Sequence, residues 1–388
     1  VELMHRIADT YGPLVYHQLG ETPRVYGQQE AYTRFFADLD EGQQLIREYL
    51  DEGGDNNKFK EYDMLTNGKT LKEWLKFANS LRLRLAMRIS NVDATLAKDQ
   101  ATKALNDNQG VLEGARETIA VMGKNYINPL CAVAGWGEVY MNASMESIVN
   151  GYEDPRGKKW YNTALLEGYQ KQLLGIPIGL PMKDGDANIY SFCSSLNTST
   201  IGEKTGAVLM SAAEVWLLRA EAALRGYTKE NPRTCYEYGV STSFTQWDCA
   251  GASEYLESDK TPADYKDVVS GGKVGKDMKA LITISPKWEE DADIETKLEK
   301  IITQKWLACW PESYEAWAEQ RRTGYPKLFK VQNNTGKVID TDIMICRLPF
   351  STDAATADPA QYATLTEKLG GADNGATRLW WDTGKNSF

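Results

Sequence analysis

The chain has 388 residues, with 44 Lys plus Arg against 54 Asp plus Glu and a formal net charge of −10, so no basic surplus exists to neutralise a phosphate backbone, and nucleic acid is not an expected partner. No apolar run approaches the ~20 residues of a membrane-spanning helix. With His5 and His17 as the only histidines, a His-rich zinc site and histidine-based proton transfer have almost no material.

The chain opens at Val1 inside an already helical pattern (Leu3, Ile7), without a Met, a signal peptide or a lipidation Cys, so a preceding segment is expected. Between residues 30 and 50, Tyr32, Phe35, Phe36, Leu39, Ile46, Tyr49 and Leu50 recur at helical spacing ahead of a Gly53 to Asn57 loop. From Leu71 to Ser90 the residues Leu71, Trp74, Leu75, Ala78, Leu81, Leu85 and Ile89 share one arc at ~100° per residue, the pattern of a helix buried along that side. Arg82 falls inside the arc and needs a carboxylate partner, because an unpaired buried charge costs on the order of several kcal/mol. Asn79 and Ser80, poor helix formers at mid-helix, are expected to serve contacts. Ala94 to Leu105 reads as a third helix, packed antiparallel to its neighbours and stopped by Asn106 to Gly110.

Residues 110 to 140 lose the period and read as irregular, with a short helix at Ser144 to Tyr152. Residues 155 to 205 are rich in Gly, Ser, Asn and Tyr and too long for a mere connection, which marks a candidate ligand region. Ser211 to Glu214 is a capping box and Gly226 a left-handed stop, bounding a helix over 212–225. Glu214 and Glu221 share one side of it, and either is a candidate mate for Arg82. Asn231-Pro232 opens a helix through Tyr236, Val240, Phe244 and Trp247; Leu298 to Cys309 forms another, stopped by Pro311; Glu312 to Arg322 follows, ended by Gly324. The acidic run Glu289 to Glu295 is a solvated helix start. The tail, 336–388, reads as short strands and loops. Successive helix pairs suggest tetratricopeptide-like hairpins, although no fixed ~34-residue period survives.

The six cysteines (Cys131, Cys193, Cys235, Cys249, Cys309, Cys346) show no CxxC spacing; Cys235 and Cys249 could clip one loop, and buried free thiols fit as well. Asp184, Asp186 and Asn188 imitate the start of a calcium loop, but Ile189 replaces the required Gly and Ser195 the bidentate Glu, so no metal is expected there. No paired-carboxylate glycosidase pattern, Ser/His/Asp set, P-loop or dinucleotide fingerprint is readable, and no cofactor is expected; glycosidase carboxylates lie far apart in sequence, so the missing motif weighs little against that chemistry.

Eleven Trp and 20 Tyr are present, many outside helix faces. Flat aromatic rings stack on the apolar C–H faces of sugars while nearby amides and carboxylates meet the hydroxyls, so loop aromatics beside Asn, Asp and Arg are what a glycan site requires. Tyr16 and Tyr26 with His17 and Arg24, Tyr126 and Trp136 with Asn125 and Asn128, Tyr190 and Phe192 with Asn188, and Trp247 beside Asp248 meet that description. For each the alternative is packing beneath its own loop. Trp74, Trp216, Trp306, Trp317, Trp380 and Trp381 are assigned to the core.

Seven pieces occur in order: Tyr11-Gly12-Pro13-Leu14-Val15-Tyr16, Glu73-Trp74 through Met87-Arg88, Asp154-Pro155-Arg156, Ala213-Glu214-Val215 with Arg219-Ala220-Glu221-Ala222, Gln304-Lys305-Trp306, Glu315-Ala316-Trp317 with Arg321 to Pro326, and Leu379-Trp380-Trp381-Asp382. Together they resemble the SusD/RagB family of nutrient-binding outer-membrane lipoproteins over nearly the whole chain. The resemblance implies a mainly α fold, a tetratricopeptide-like α-α superhelix with a long irregular, loop-rich region packed against it. Here that is one domain over 1–388, with scaffold at roughly 1–106, 211–250 and 286–326 and the irregular ligand side at roughly 110–205. It implies a cell-surface, lipid-anchored protein of a Gram-negative outer membrane that captures an oligosaccharide, or alternatively a peptide, and delivers it without cleavage to a SusC-like TonB-dependent transporter. The tail departs from the family's Tyr-Pro pattern at Arg347 to Asp353, and ligand contacts vary across the family, so the site residues rest on the aromatics above.

Overall fold

The computed structural model describes residues 1–17, 20–66, 68–123, 125–181, 188–336, 338–339 and 344–384. Among these lie fourteen helices: α1 (Glu2–Tyr11), α2 (Gln28–Asp51), α3 (Leu71–Arg88), α4 (Ala94–Leu105), α5 (Pro129–Ala134), α6 (Ala143–Gly151), α7 (Gly157–Trp160), α8 (Ala212–Leu224), α9 (Pro232–Gln246), α10 (Ala252–Leu256), α11 (Ile294–Ala308), α12 (Ser313–Thr323), α13 (Ala354–Ala357) and α14 (Pro359–Leu369). Two small antiparallel sheets pair β1 (Leu14–Tyr16) with β2 (Arg24–Tyr26) and β3 (Ile119–Val121) with β4 (Ala207–Met210).

The long helices start where side chains satisfy otherwise orphaned backbone donors. Thr70 and Glu73 cap α3 reciprocally: Glu73 N donates to Thr70 Oγ1 (3.2 Å) and Thr70 N to Glu73 Oε2 (2.8 Å). Asp93, Ser211, Asn231, Asp293 and Glu312 cap α4, α8, α9, α11 and α12. Gly324, left-handed at φ 76°, ends α12.

Helix α8 is the wall between two cores. Val215, Leu218 and Ala222 belong to one core, with Tyr32, Phe35, Leu85 and Trp381, while Ala213, Leu217 and Ala220 belong to the other, with Tyr236, Val240, Ile301 and Trp160. Asn79 and Ser80 serve contacts: Asn79 accepts from Gln43 Nε2 (2.5 Å) and donates to Gly110 O (2.9 Å), and Ser80 Oγ accepts from Leu112 N (2.9 Å).

A buried ion network ties the helices. Arg84 Nε and Nη2 donate to Glu214 (both 2.7 Å), Arg322 makes a two-pronged pair with Glu221 (2.8 and 2.6 Å), and Arg88, Lys305, Glu315 and Glu319 complete it. Neither Glu214 nor Glu221 mates with Arg82. Two residues along α3 is ~200° of rotation, so Arg82 turns from α8 and donates to Asp40 (2.6 Å) and Gln43 (3.0 Å).

Two further expectations are corrected, and one that the sequence left open is decided. The tail carries α14 where strands and loops were expected: Asp358 caps it, Pro359 begins it and a left-handed Gly370 ends it, yet only Leu365 of its turns is buried, so the apolar period is faint. Of the six tryptophans assigned to the core, Trp381 is wholly buried; the others lie half-buried at its rim, as Trp216 does beneath Arg219 (3.6 Å) and Trp317 beneath Arg321 (3.5 Å). All six cysteines are free thiols, so Cys235 and Cys249 clip no loop.

Candidate functional site

β3 leads into a surface segment, described at 122–123 and 125–137, that lies against the loop before β4. A Cβ at Gly206 would come within 2.9 Å of Ala120 and Met122, so only glycine lets the two segments approach. Asn128 pins them: its N–H donates to Glu203 O (2.8 Å), its Nδ2 to Thr205 O (2.9 Å), and its Oδ1 accepts from Leu130 N (2.9 Å), capping α5. Lys204 Nζ adds a bond to Tyr126 O (3.2 Å).

Helix α5 ends at Gly135, and Gly137 at φ 73° turns the chain back. Between them stands Trp136. Its N–H donates to Val133 O (3.1 Å), Tyr140 OH donates to Gly137 O (2.7 Å), and its side chain is the one exposed tryptophan among the described residues, at 68 %. A large ring held in water by a fixed turn is a candidate contact surface.

The surroundings are mixed. Met122 N donates to Leu65 O (3.0 Å), which brings the loop carrying exposed Tyr62 and Met64 beside exposed Met122 and Ile127. On the other flank Tyr140 bridges to Ser195 and Tyr161 to Leu196, and Asn162 Nδ2 donates to Ser195 Oγ (3.1 Å) and Leu196 O (3.0 Å). Burial raises the Tyr126 phenol, an effect the Ala207 backbone partly offsets. An indole face bordered by amides and hydroxyls can stack on a sugar ring and hydrogen-bond its substituents.

The seven aromatics do not converge on one place. Tyr126 and Trp136 share the segment just described, and half-exposed Phe192 lies on the stretch leading to Ser195. Tyr16 and Tyr26 form an edge-to-face pair (6.1 Å) on the first hairpin; Arg24 covers the buried Tyr26 ring (4.1 Å) and Tyr16 donates to Asp38. Burial, then Asp38, holds the Tyr16 phenol well above its usual value. Tyr190 is wholly buried, donating to Asp267 (3.2 Å) and accepting from Gly275 N (3.0 Å). Trp247 is half-buried, edge-on to Trp160 (6.1 Å) and Trp310 (5.2 Å), which stack on each other. Asp184 and Asp186 lie outside the described residues. Tyr62, Met64, Met122, Ile127 and Tyr140 were not anticipated; glycines on both sides of Trp136 are the one sequence signal of a displayed ring.

The family described as SusD-like, Susd and RagB outer membrane lipoprotein, matches residues 1–382. The chain belongs to the SusD-like family. A SusD homologue from Bacteroides vulgatus ATCC 8482 shares 57 % identity at a TM-score of 0.96, covering 100 % of this chain and 78 % of the homologue. A chitin-binding SusD homologue from Flavobacterium johnsoniae shares 36 % identity at 0.92, covering 99 % and 79 %. A SusD-like protein from Bacteroides thetaiotaomicron VPI-5482 shares 31 % identity at 0.89, covering 98 % and 78 %. No curated protein matches. The mainly helical, tetratricopeptide-like architecture anticipated from the sequence is that of these SusD homologues. Among the described residues of this SusD-like protein, no helix is long and apolar enough to cross a membrane, and no group of three His, Cys, Asp or Glu could hold a metal ion.

Proposed function

We propose that this SusD-like protein binds an oligosaccharide at the Trp136 surface and passes it, uncleaved, to a SusC-like TonB-dependent outer-membrane transporter, from a lipid-anchored position at the cell surface. The observation that carries the reading is the exposed Trp136 ring on a turn fixed by Asn128, Gly137 and Tyr140. Family membership and the chitin-binding relative support glycan as the ligand. Tyr126 lies on the same segment, and half-exposed Phe192 on the stretch that leads to Ser195. Tyr16, Tyr26, Tyr190 and Trp247 contribute through the packing that holds their own loops.

Affinity electrophoresis of the chain against neutral polysaccharides and chitin oligomers tests this. Retardation by at least one glycan is expected, weakened about tenfold or more in Trp136→Ala, the loss typical of a central aromatic anchor. Full retention of binding in that variant would sink the site. No retardation by any glycan would sink the ligand class and favour a peptide.

A further inference from the structure

A separate cleft of about 570 Å³ opens between the turn after α6 and residues 171–173. It shares no residue with the Trp136 surface and has no aromatic lining. Its volume is that of small-molecule pockets, ~300–1,000 Å³. The wall at 149–158 is fixed from within. Glu153 adopts a left-handed φ of 54°, Asp154 N donates to Val149 O (2.8 Å), and Asp154 is held by Arg156 through Nε (3.0 Å) and Nη2 (2.6 Å), both side chains fully buried. The opposite wall is tied to it by Asn150 Nδ2 donating to Leu173 O (2.9 Å).

The charges in the cleft do not balance. Asp154 is neutralised by Arg156 and Glu153 by Lys260. Lys158 and Lys171 also line the cleft, both exposed, and neither ammonium has a carboxylate partner among the described residues. In a chain of net charge −10, where anions are repelled by the overall field, two unpaired cations facing one cavity are a local inversion. Exposed Pro155 supplies apolar surface for ring C–H groups, over a floor closed by buried Val149 and Leu173, and exposed Gln172 an amide for hydroxyls.

We infer that this cleft is a second carbohydrate subsite, selective for a sugar bearing an anionic group, a carboxylate or a sulfate ester, held between Lys158 and Lys171. The sugar class rests on the glycan reading above; the preference for negative charge stands on the cleft alone. The two ammoniums would form charge-assisted hydrogen bonds with the anionic group.

Calorimetric titration of the full chain at low salt with an oligogalacturonate, a sulfated galactan oligomer and a neutral galactan oligomer tests this. One or both anionic probes are expected to bind. Binding should weaken about tenfold or more in Lys158→Gln/Lys171→Gln, recover in Lys158→Arg/Lys171→Arg and persist in Trp136→Ala. Binding of the first probe alone assigns a uronic acid, of the second alone a sulfate ester, and of both a charge-only preference. Failure of both to bind, equal binding by the Gln pair, or an equal loss in Trp136→Ala would overturn the inference. Anionic binding that survives in Trp136→Ala, with no neutral glycan bound, would instead sink the Trp136 reading and leave this cleft standing.

Discussion

Arg82 and Arg84 stand two residues apart on α3 and meet opposite surroundings. Arg84 pairs with Glu214 among fully buried groups, whereas Asp40, the partner of Arg82, is 43 % exposed. Removing the guanidinium of Arg84 strands a buried carboxylate, so Arg84→Met should cost about 3–5 kcal/mol. Water can reach Asp40, so Arg82→Met should cost about 1–3 kcal/mol, mostly from the hydrogen bonds lost by Gln43 and Gln100. Urea unfolding of both variants decides it; equal losses would mean that the exposure of the partner does not set the cost. That Arg82 needed a partner was legible from its place in an apolar arc. Which residue it would take was not, because the choice depends on how far α3 is rotated against α2 and α8, a property of packed helices rather than of spacing. Trp136 shows the same limit: its type and neighbours were readable, but its exposure depends on loops brought together by Asn128.

At the scale of elements, the cap residues made most helices legible, and α4 runs from Ala94 to Leu105 as the sequence predicts. The failure at α14 is instructive, since Asp358, Pro359 and Gly370 were visible signals that the weak apolar period hid. Helix contacts offer a sharper test in two glycines inside the longer helices, Gly42 and Gly239. Gly42 lies on the open face of α2, where an added Cβ meets nothing within 4 Å. Gly239 lies on α9 against α8, where a Cβ would come within 2.6 Å of Leu217 Cγ and 3.3 Å of Ala213 O. Propensity alone favours alanine over glycine at both by about 0.5–1 kcal/mol. Gly42→Ala should therefore stabilise the protein by that amount. Gly239→Ala should destabilise it by about 1–3 kcal/mol, because Leu217 is fully buried and cannot move aside without disturbing the second core. Thermal melts of the pair would show opposite signs; a shared sign would mean that Leu217 yields to the added methyl and that the close approach of α8 and α9 does not set the cost.

Over the whole molecule, some buried carboxyl groups show opposite pH behaviour. Burial alone would raise Glu221, Glu315 and Glu319, but Arg322 for the first, Arg88 and Lys305 for the second, and Arg322 and Lys305 for the third outweigh it and hold all three below the usual carboxylate range. Their contribution is present above the unfolded value near 4.5 and is lost as pH falls through the depressed folded values. Glu146 behaves in the other sense. Burial pushes it up to about 8, and the one opposing contact is the Gly175 N–H, which donates to its Oε2 (2.5 Å) and ties α6 to the loop at 174–176. Its contribution is complete below about 4.5 and declines as pH rises to about 8, because the unfolded chain loses the proton first. Glu146→Gln keeps an oxygen for the Gly175 N–H and has no proton to lose. The variant should match the wild type in urea unfolding near pH 4.5, gain up to about 1.4 kcal/mol on it for each pH unit above that, and level off near pH 8. Taking the difference between the two proteins removes the slopes of every other group, including the acid-side loss from Glu221, Glu315 and Glu319. Parallel profiles across that range would show that Glu146 is ionised in the folded chain and that water reaches it beside Gly175.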